Sequence, residues 1–141
     1  MIKIESRVLG PVATNCYLII NLDNNESIIV DPADSQESIY DMVVRSASRP
    51  QAILLTHGHF DHATGAGELA QLLHIKIYAQ EKEKETLENP QLNLSGWQGS
   101  ELVFYADEYL KDEQEIDLAG FHIRVFLTPG HTVAVSYTHL T

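Results

Sequence analysis

The sequence has few of the features that characterise disulfide-bonded, membrane and secreted proteins. Its 141 residues include a single cysteine, Cys16, so no disulfide can form within the chain. Apolar runs such as Tyr17–Ile20 and Ile28–Val30 are far shorter than the roughly 20 residues that a transmembrane helix needs. The first five residues do not combine a basic start with an apolar stretch, as a secretory signal does. We therefore expect a protein of the reducing cytoplasm without a membrane segment.

Basic residues are scarce as well. Nine Lys and Arg stand against twenty Asp and Glu, which gives a formal net charge of −11. Because phosphate contacts dominate nucleic-acid affinity, this charge disfavours DNA and RNA as partners, and it equally disfavours an anionic membrane surface. The length and the 44% apolar content are typical of one globular domain. We expect a small-molecule substrate as the partner, and the sequence leaves the oligomeric state open.

Hydrophobic periodicity predicts a mixed sheet with helices on a face. Short apolar runs bounded by turn residues predict strands, and apolar residues at helical spacing predict helices. The predicted strands cover 2–9, 14–22, 27–31, 52–56, 75–79, 115–118 and 121–127, and the predicted helices cover 35–48, 67–73 and 81–87. The run at 52–56 is continuous, which is typical of a strand buried on both faces.

The candidate chemistry is concentrated directly after the strand at 52–56, in the motif Thr56–His62, which reads T-H-G-H-F-D-H. Imidazole and carboxylate groups suit zinc and, less selectively, iron or manganese. In extended backbone His57 and His59 point to the same side, so both can reach one metal ion. Asp61 and His62 begin a bend toward a helix and can face a second ion. The spacing therefore predicts a metal site.

Four segments of the chain together resemble the metallo-β-lactamase superfamily, in particular its glyoxalase-II-like hydrolases. The specific segments are Thr56–His62 and Thr128–Thr132 (T-P-G-H-T), while Gly10–Tyr17 and Ile29–Pro32 give support. The resemblance covers residues 1–132 and implies a domain of the α+β class, a partial αββα sandwich with a binuclear site at its edge. Residues 133–141 do not match the family, and we interpret them as a non-native tail.

The resemblance also implies roles for individual residues. Five metal ligands fall into two groups, with His57, His59 and His131 for the first metal and Asp61 and His62 for the second. Asp31 would orient ligands without binding metal itself. The implied reaction is hydrolysis of a thioester, such as an S-acyl-glutathione, by a hydroxide generated between two zinc ions. Asp61 would also act as the catalytic residue, because it can accept a hydrogen bond from that hydroxide and aim it.

Downstream of His131 the sequence departs from the family, which there has a bridging aspartate and a further metal-binding histidine. Asp117 is the last aspartate, and the surroundings of His139 do not match. We therefore expect a truncated N-terminal part of a longer hydrolase, which binds one metal better than two and hydrolyses thioesters poorly. We also expect Phe121–Leu127 to form an unprotected edge strand, and the chain after Thr132 to make few tertiary contacts.

Several alternatives stay open at the level of sequence. A non-catalytic metal-binding fragment is the alternative from another functional class. Among enzymes the alternatives are an iron persulfide dioxygenase, a β-lactamase and an RNA-processing nuclease, the last disfavoured by the negative charge. Cys16 lies within an apolar strand pattern, which indicates a buried structural thiol rather than a nucleophile.

Overall fold

The part of the chain that the computed structural model describes contains nine strands and two helices of eight or more residues. That part comprises residues 2–9, 14–32, 36–55, 66–81, 84, 87, 89, 106–111, 113–127 and 136–140. The strands are β1 (Ile2–Leu9), β2 (Thr14–Asn21), β3 (Glu26–Val30), β4 (Arg49–Leu54), β5 (Lys76–Gln80), β6 (Glu108–Leu110), β7 (Glu115–Leu118), β8 (Phe121–Leu127) and β9 (Ser136–Leu140). The helices are α1 (Gln36–Ser46) and α2 (Ala66–Leu73).

The strands form two sheets. The larger sheet has the order β1-β2-β3-β4-β5-β6, and the smaller has the order β7-β8-β9. β2 and β3 are antiparallel because a tight turn at residues 22–25 joins them, whereas α1 lies between β3 and β4 and lets the chain cross over to a parallel neighbour. α2 lies in the same way between β4 and β5, which are also parallel. The parallel half of the larger sheet thus sends the carboxyl ends of β3, β4 and β5 to one edge.

Successive residues of the central strands enter two separate cores. One core joins the larger sheet to the helices, and it contains Ile29, Ile53 and Ile77 from the strands with Ile39, Met42 and Leu69 from the helices. The other joins the larger sheet to the smaller one, and it contains Ile28, Leu54, Tyr78, Phe121 and Ile123. This burial on both faces explains why β3 and β4 read as continuous apolar runs. The layers are therefore helices, larger sheet and smaller sheet.

β4 differs from its predicted bounds because it begins at Arg49 and includes Pro50. A proline has no amide hydrogen to donate, so it fits a sheet where the ladder is interrupted or a neighbour is missing. Both conditions hold here. The register between β3 and β4 shifts between Ser27 and Ile28, and β5 pairs with β4 only from Ala52 onward. β6, with three residues at the edge of the sheet, was not predicted.

The expectation that β8 is an unprotected edge is wrong. β9 pairs with β8 from Leu127 opposite Ser136 to Ile123 opposite Leu140, so β8 is the central strand of the smaller sheet. The same pairing contradicts the expectation that the chain after Thr132 makes few tertiary contacts. In the described part of the chain, neither helix has the length and apolar character that a membrane crossing requires.

Candidate functional site

Asp31 lies at the carboxyl edge of the larger sheet, directly after β3. Its side chain is buried, with 3% of the residue exposed. Its amide donates a hydrogen bond to the carbonyl oxygen of Leu54 on β4 at 3.0 Å, so the β3–β4 ladder continues one residue past β3. Its φ of 53° lies in the left-handed region, which Asp and Asn adopt more readily than other residues with a Cβ do. Carboxylates are rarely buried in proteins, so the burial of Asp31 at the sheet edge marks it as a candidate site residue.

Cys16 is the neighbour of Asp31 on β2. The β2–β3 register pairs Tyr17 with Val30, and Cys16 and Asp31 hold the next positions along it. Cys16 is completely buried. Burial and the negative charge of Asp31 together raise the pKa of the Cys16 thiol to about 12. The thiol is therefore protonated at neutral pH and is a poor nucleophile, which confirms the interpretation of Cys16 as a structural residue.

β4 ends at the same edge of the larger sheet, where hydrogen bonds join it to residues of both neighbouring strands. Leu55, the residue after β4, is buried, and its amide donates to the carbonyl oxygen of Tyr78 on β5 at 3.0 Å. The motif Thr56–His62 follows Leu55 directly in the sequence. The predicted metal ligands lie outside the described residues, namely His57, His59, Asp61, His62 and His131. Their roles remain predictions.

A polar contact at the opposite end of the molecule relates the two sheets. The side-chain amides of Asn21 and Asn24 both donate to the carbonyl oxygen of Ala119, at 3.0 and 3.2 Å. Asn21 ends β2, Asn24 lies in the β2–β3 turn, and Ala119 lies in the β7–β8 turn. We call Asn21, Asn24 and Ala119 the clasp. Asn24 lies in the gap between the predicted strands at 14–22 and 27–31, but no sequence signal pointed to a contact between Asn24 and a residue 95 positions away.

The position of the clasp shows that three strands run in the same direction. β3 and β8 both begin beside it, and β4 begins opposite the start of β3, where Glu26 pairs with Arg49. Ile28, Leu54 and Ile123 from these strands pack in the core between the sheets. The carboxyl ends of β3, β4 and β8 therefore point away from the clasp, toward the end of the molecule that holds Asp31. Within the described residues, no group of three His, Cys, Asp or Glu side chains is arranged to hold a metal ion.

Comparison with known proteins identifies the family. A family model of the Metallo-beta-lactamase superfamily matches residues 9–140. The chain belongs to this superfamily. It is 34% identical over 132 residues to the probable metallo-hydrolase YqgX of Bacillus subtilis, covering 92% of this chain and 62% of that protein. It is 32% identical over 129 residues to a hydroxyacylglutathione hydrolase of Glaesserella parasuis, covering 90% of this chain and 46% of that protein. This superfamily member thus spans about half to two-thirds of the length of these curated relatives.

Solved structures confirm the predicted fold class. The chain superposes on the B3 metallo-beta-lactamase BLEG-1 with a TM-score of 0.89 at 33% identity, covering 98% of this chain and 67% of that one. It superposes on TTHA1623, solved in a di-iron-bound form, with a TM-score of 0.76 at 26% identity, covering 96% of this chain and 66% of that one. The predicted α+β fold of the metallo-β-lactamase type is therefore confirmed.

Proposed function

We propose that this superfamily member carries the metal centre of a metal-dependent hydrolase that acts on thioesters. The observation that carries the proposal is the common direction of β3, β4 and β8 away from the clasp. In the sequence, each of these strands is followed by one part of the predicted site, namely Asp31, Thr56–His62 and Thr128–Thr132. Strands that run the same way bring the residues after them toward one end of the fold, as a shared metal site requires.

The residues available fit a metal ion. The proposed first ligand set, His57, His59 and His131, consists of three imidazoles, which is an established zinc donor set in catalytic sites. Asp31 adds a buried carboxylate next to the end of β4, where its amide donates a hydrogen bond to the carbonyl oxygen of Leu54. Ligating histidines commonly donate their second ring N–H to such a carboxylate, which fixes the tautomer and the orientation of the ring. In this proposal Asp31 provides that contact.

Each residue of the proposed site has a definite part in hydrolysis. A bound zinc ion would lower the pKa of a water molecule and polarise the substrate carbonyl group. His57, His59 and His131 would hold the ion, with Asp61 and His62 as donors toward a second position. Asp61 would also accept a hydrogen bond from the attacking water and orient it toward the carbonyl carbon. A protein nucleophile is not required, in agreement with the raised pKa of the buried Cys16 thiol.

The substrate class is proposed from the relatives and from the motif resemblance. The similar protein from Glaesserella parasuis is named for a hydroxyacylglutathione, which is a thioester of glutathione. A structurally similar protein, BLEG-1, is instead described as a metallo-beta-lactamase. The proposal favours the thioester, and hydrolysis of a β-lactam is the alternative that the experiment must separate from it.

The experiment measures metal-dependent hydrolysis by the purified chain. An S-acyl-glutathione is incubated with the protein loaded with zinc, and a thiol reagent detects the glutathione released. Cys16 is buried and its pKa is about 12, so the native protein contributes little background to the thiol signal. We expect slow hydrolysis that a chelator abolishes and that Asp61→Asn lowers at least about 100-fold. The matched control is Glu37→Gln, which makes the same change from carboxylate to amide at an exposed position on α1 and should leave the rate unchanged.

Four results would contradict the proposal in different ways. Faster hydrolysis of a chromogenic β-lactam than of the thioester would show that β-lactams, and not thioesters, are the substrate class. Bound zinc without hydrolysis of either substrate would favour the non-catalytic metal-binding alternative. Activity that survives the chelator would refute the metal-dependent mechanism, and equal activity of the Asp61→Asn and Glu37→Gln variants would refute the role of Asp61.

A further inference from the structure

The clasp is held more firmly than two hydrogen bonds alone would hold it. The side-chain oxygen of Asn21 accepts a hydrogen bond from the amide of Asp23 at 3.0 Å, and that of Asn24 accepts one from the amide of Glu26 at 2.8 Å. In each asparagine the hydrogen bond to the side-chain oxygen restricts the orientation of the amide group, and the side-chain nitrogen donates to the carbonyl oxygen of Ala119. Asn21 is buried, with 8% of the residue exposed, so its contacts are protected from water.

The turn that receives these bonds has a backbone shaped for close approach. Ala119 and Gly120 have φ values of 54° and 78°, both in the left-handed region. A Cβ at Gly120 would lie 2.6 Å from the side-chain nitrogen of Asn24 and 2.7 Å from that of Asn21. A glycine is needed at this position both for the backbone conformation and for the space that the asparagines occupy. The β7–β8 turn and the β2–β3 turn thus fit each other closely.

We propose that the clasp aligns the smaller sheet on the larger one and thereby positions the segment after β8 relative to the segment after β4. The core between the sheets is built from Ile28, Leu54, Phe121 and Ile123, and apolar packing has little directional preference. Hydrogen bonds are directional, so Asn21 and Asn24 can fix the alignment that the apolar core leaves adjustable.

A small rotation at the clasp would produce a larger displacement at the carboxyl ends of β3 and β8. β3 has five residues and β8 has seven, so at about 3.3 Å per residue the carboxyl ends lie roughly 17–23 Å from the clasp. A rotation of one sheet about the core would move those ends apart. The consequence for metal binding rests on the proposed function, in which residues after β4 and residues after β8 share one ion. Asn21 and Asn24 are positioning residues in this proposal, since they lie at the end of the sheets remote from the proposed ligands.

A distance measurement tests the alignment without any metal. Spin labels are attached to cysteines introduced at Val44 on α1 and Arg124 on β8, both exposed positions. Cys16 does not compete for the label because it is completely buried. We expect the distance distribution between the labels to broaden or shift when Asn21→Ala and Asn24→Ala are introduced together. If this pair does not fold, Asn24→Ala alone, at a half-buried position, serves in its place.

A matched control removes a hydrogen bond that does not join the two sheets. The Ser48 hydroxyl donates to the Ser27 hydroxyl of β3 at 2.8 Å, so Ser48→Ala weakens the larger sheet alone. We expect Ser48→Ala to leave the label distances unchanged. In titrations of the unlabelled chain with Zn²⁺, we expect the clasp variant to bind at least about tenfold more weakly, whereas Ser48→Ala stays within about twofold of the wild type.

The outcomes separate this inference from the proposed function. Label distances that do not change in the clasp variant would overturn the alignment role. Changed distances with unchanged Zn²⁺ affinity would overturn the positioning of the metal site. Equal weakening by Ser48→Ala would assign the effect to general stability and overturn it as well. If the wild type binds no Zn²⁺, the proposed function fails and the positioning role fails with it, while the label distances still decide the alignment.

Discussion

Replacement of the Asp31 carboxylate by an amide separates a role in ligand orientation from a role in folding. Asp31→Asn keeps the shape of the side chain, and asparagine tolerates the left-handed φ of 53° about as well as aspartate does. The backbone bond from residue 31 to Leu54 is independent of the side chain. We therefore expect the free energy of unfolding of the metal-free protein to change by less than about 1 kcal/mol.

The expected effect on metal binding is much larger. Loss of a carboxylate that orients a ligating histidine typically lowers metal affinity by about 10–100-fold. Competition titration of Zn²⁺ against a coloured chelator measures this affinity, and urea unfolding without metal measures the stability. Glu37→Gln, at an exposed position on α1, removes the same charge and should leave both quantities unchanged.

Two results would refute the reasoning about Asp31. A Zn²⁺ affinity of Asp31→Asn within twofold of the wild type would exclude it as an orienting group. A loss of several kcal/mol of stability in Asp31→Asn would show that the carboxylate holds the fold instead. Asp31→Val provides a further check, because a β-branched residue at this φ should lower stability by at least about 1–2 kcal/mol.

Three other parts of the structure give predictions of their own. Phe121→Ala should cost about 3–5 kcal/mol in urea unfolding, because Phe121 is buried between the two sheets, and a smaller loss would contradict that packing. Hydrogen bonds to Asp117 and Glu115 raise the pKa of His122, so their stabilisation is present below about pH 6.5 and is lost as the pH rises through the raised pKa. Unfolding of His122→Gln at a series of pH values should lack this dependence, and a profile identical to the wild type would refute it. Cys16 should react with a thiol reagent at pH 8 only after unfolding, since its pKa is about 12, and rapid reaction of the native protein would contradict its burial.

Local sequence patterns predicted most of the secondary structure because most strands are self-contained apolar segments. β1, β7 and β8 have the predicted bounds, and α2 begins one residue earlier than predicted. β4 was predicted to begin at Ala52 because the continuous apolar run begins there. The register shift at Ser27 and the absence of β5 beside Pro50 are tertiary features that the local sequence does not show.

The long-range contacts were beyond a reading of the sequence. β9 forms because β8 offers a free edge, which depends on a neighbour and not on the pattern of residues 136–140 alone. The clasp joins residues almost a hundred positions apart, and in the sequence Asn24 is simply a turn residue. Asp31 was assigned from a family motif, and its burial and its left-handed backbone are findings of the structure. The five proposed metal ligands were likewise assigned by motif and position, and they remain predictions.

The zinc content of the purified chain and its histidine variants tests the central claim most directly. After exposure to Zn²⁺ and removal of unbound metal, elemental analysis should find about one tightly held zinc ion per chain. His57→Ala and His131→Ala should each lose it, whereas His74→Ala, which changes an exposed histidine after α2, should retain it. A wild-type chain without zinc, or His57→Ala and His131→Ala variants that hold as much zinc as His74→Ala, would contradict the proposed metal centre.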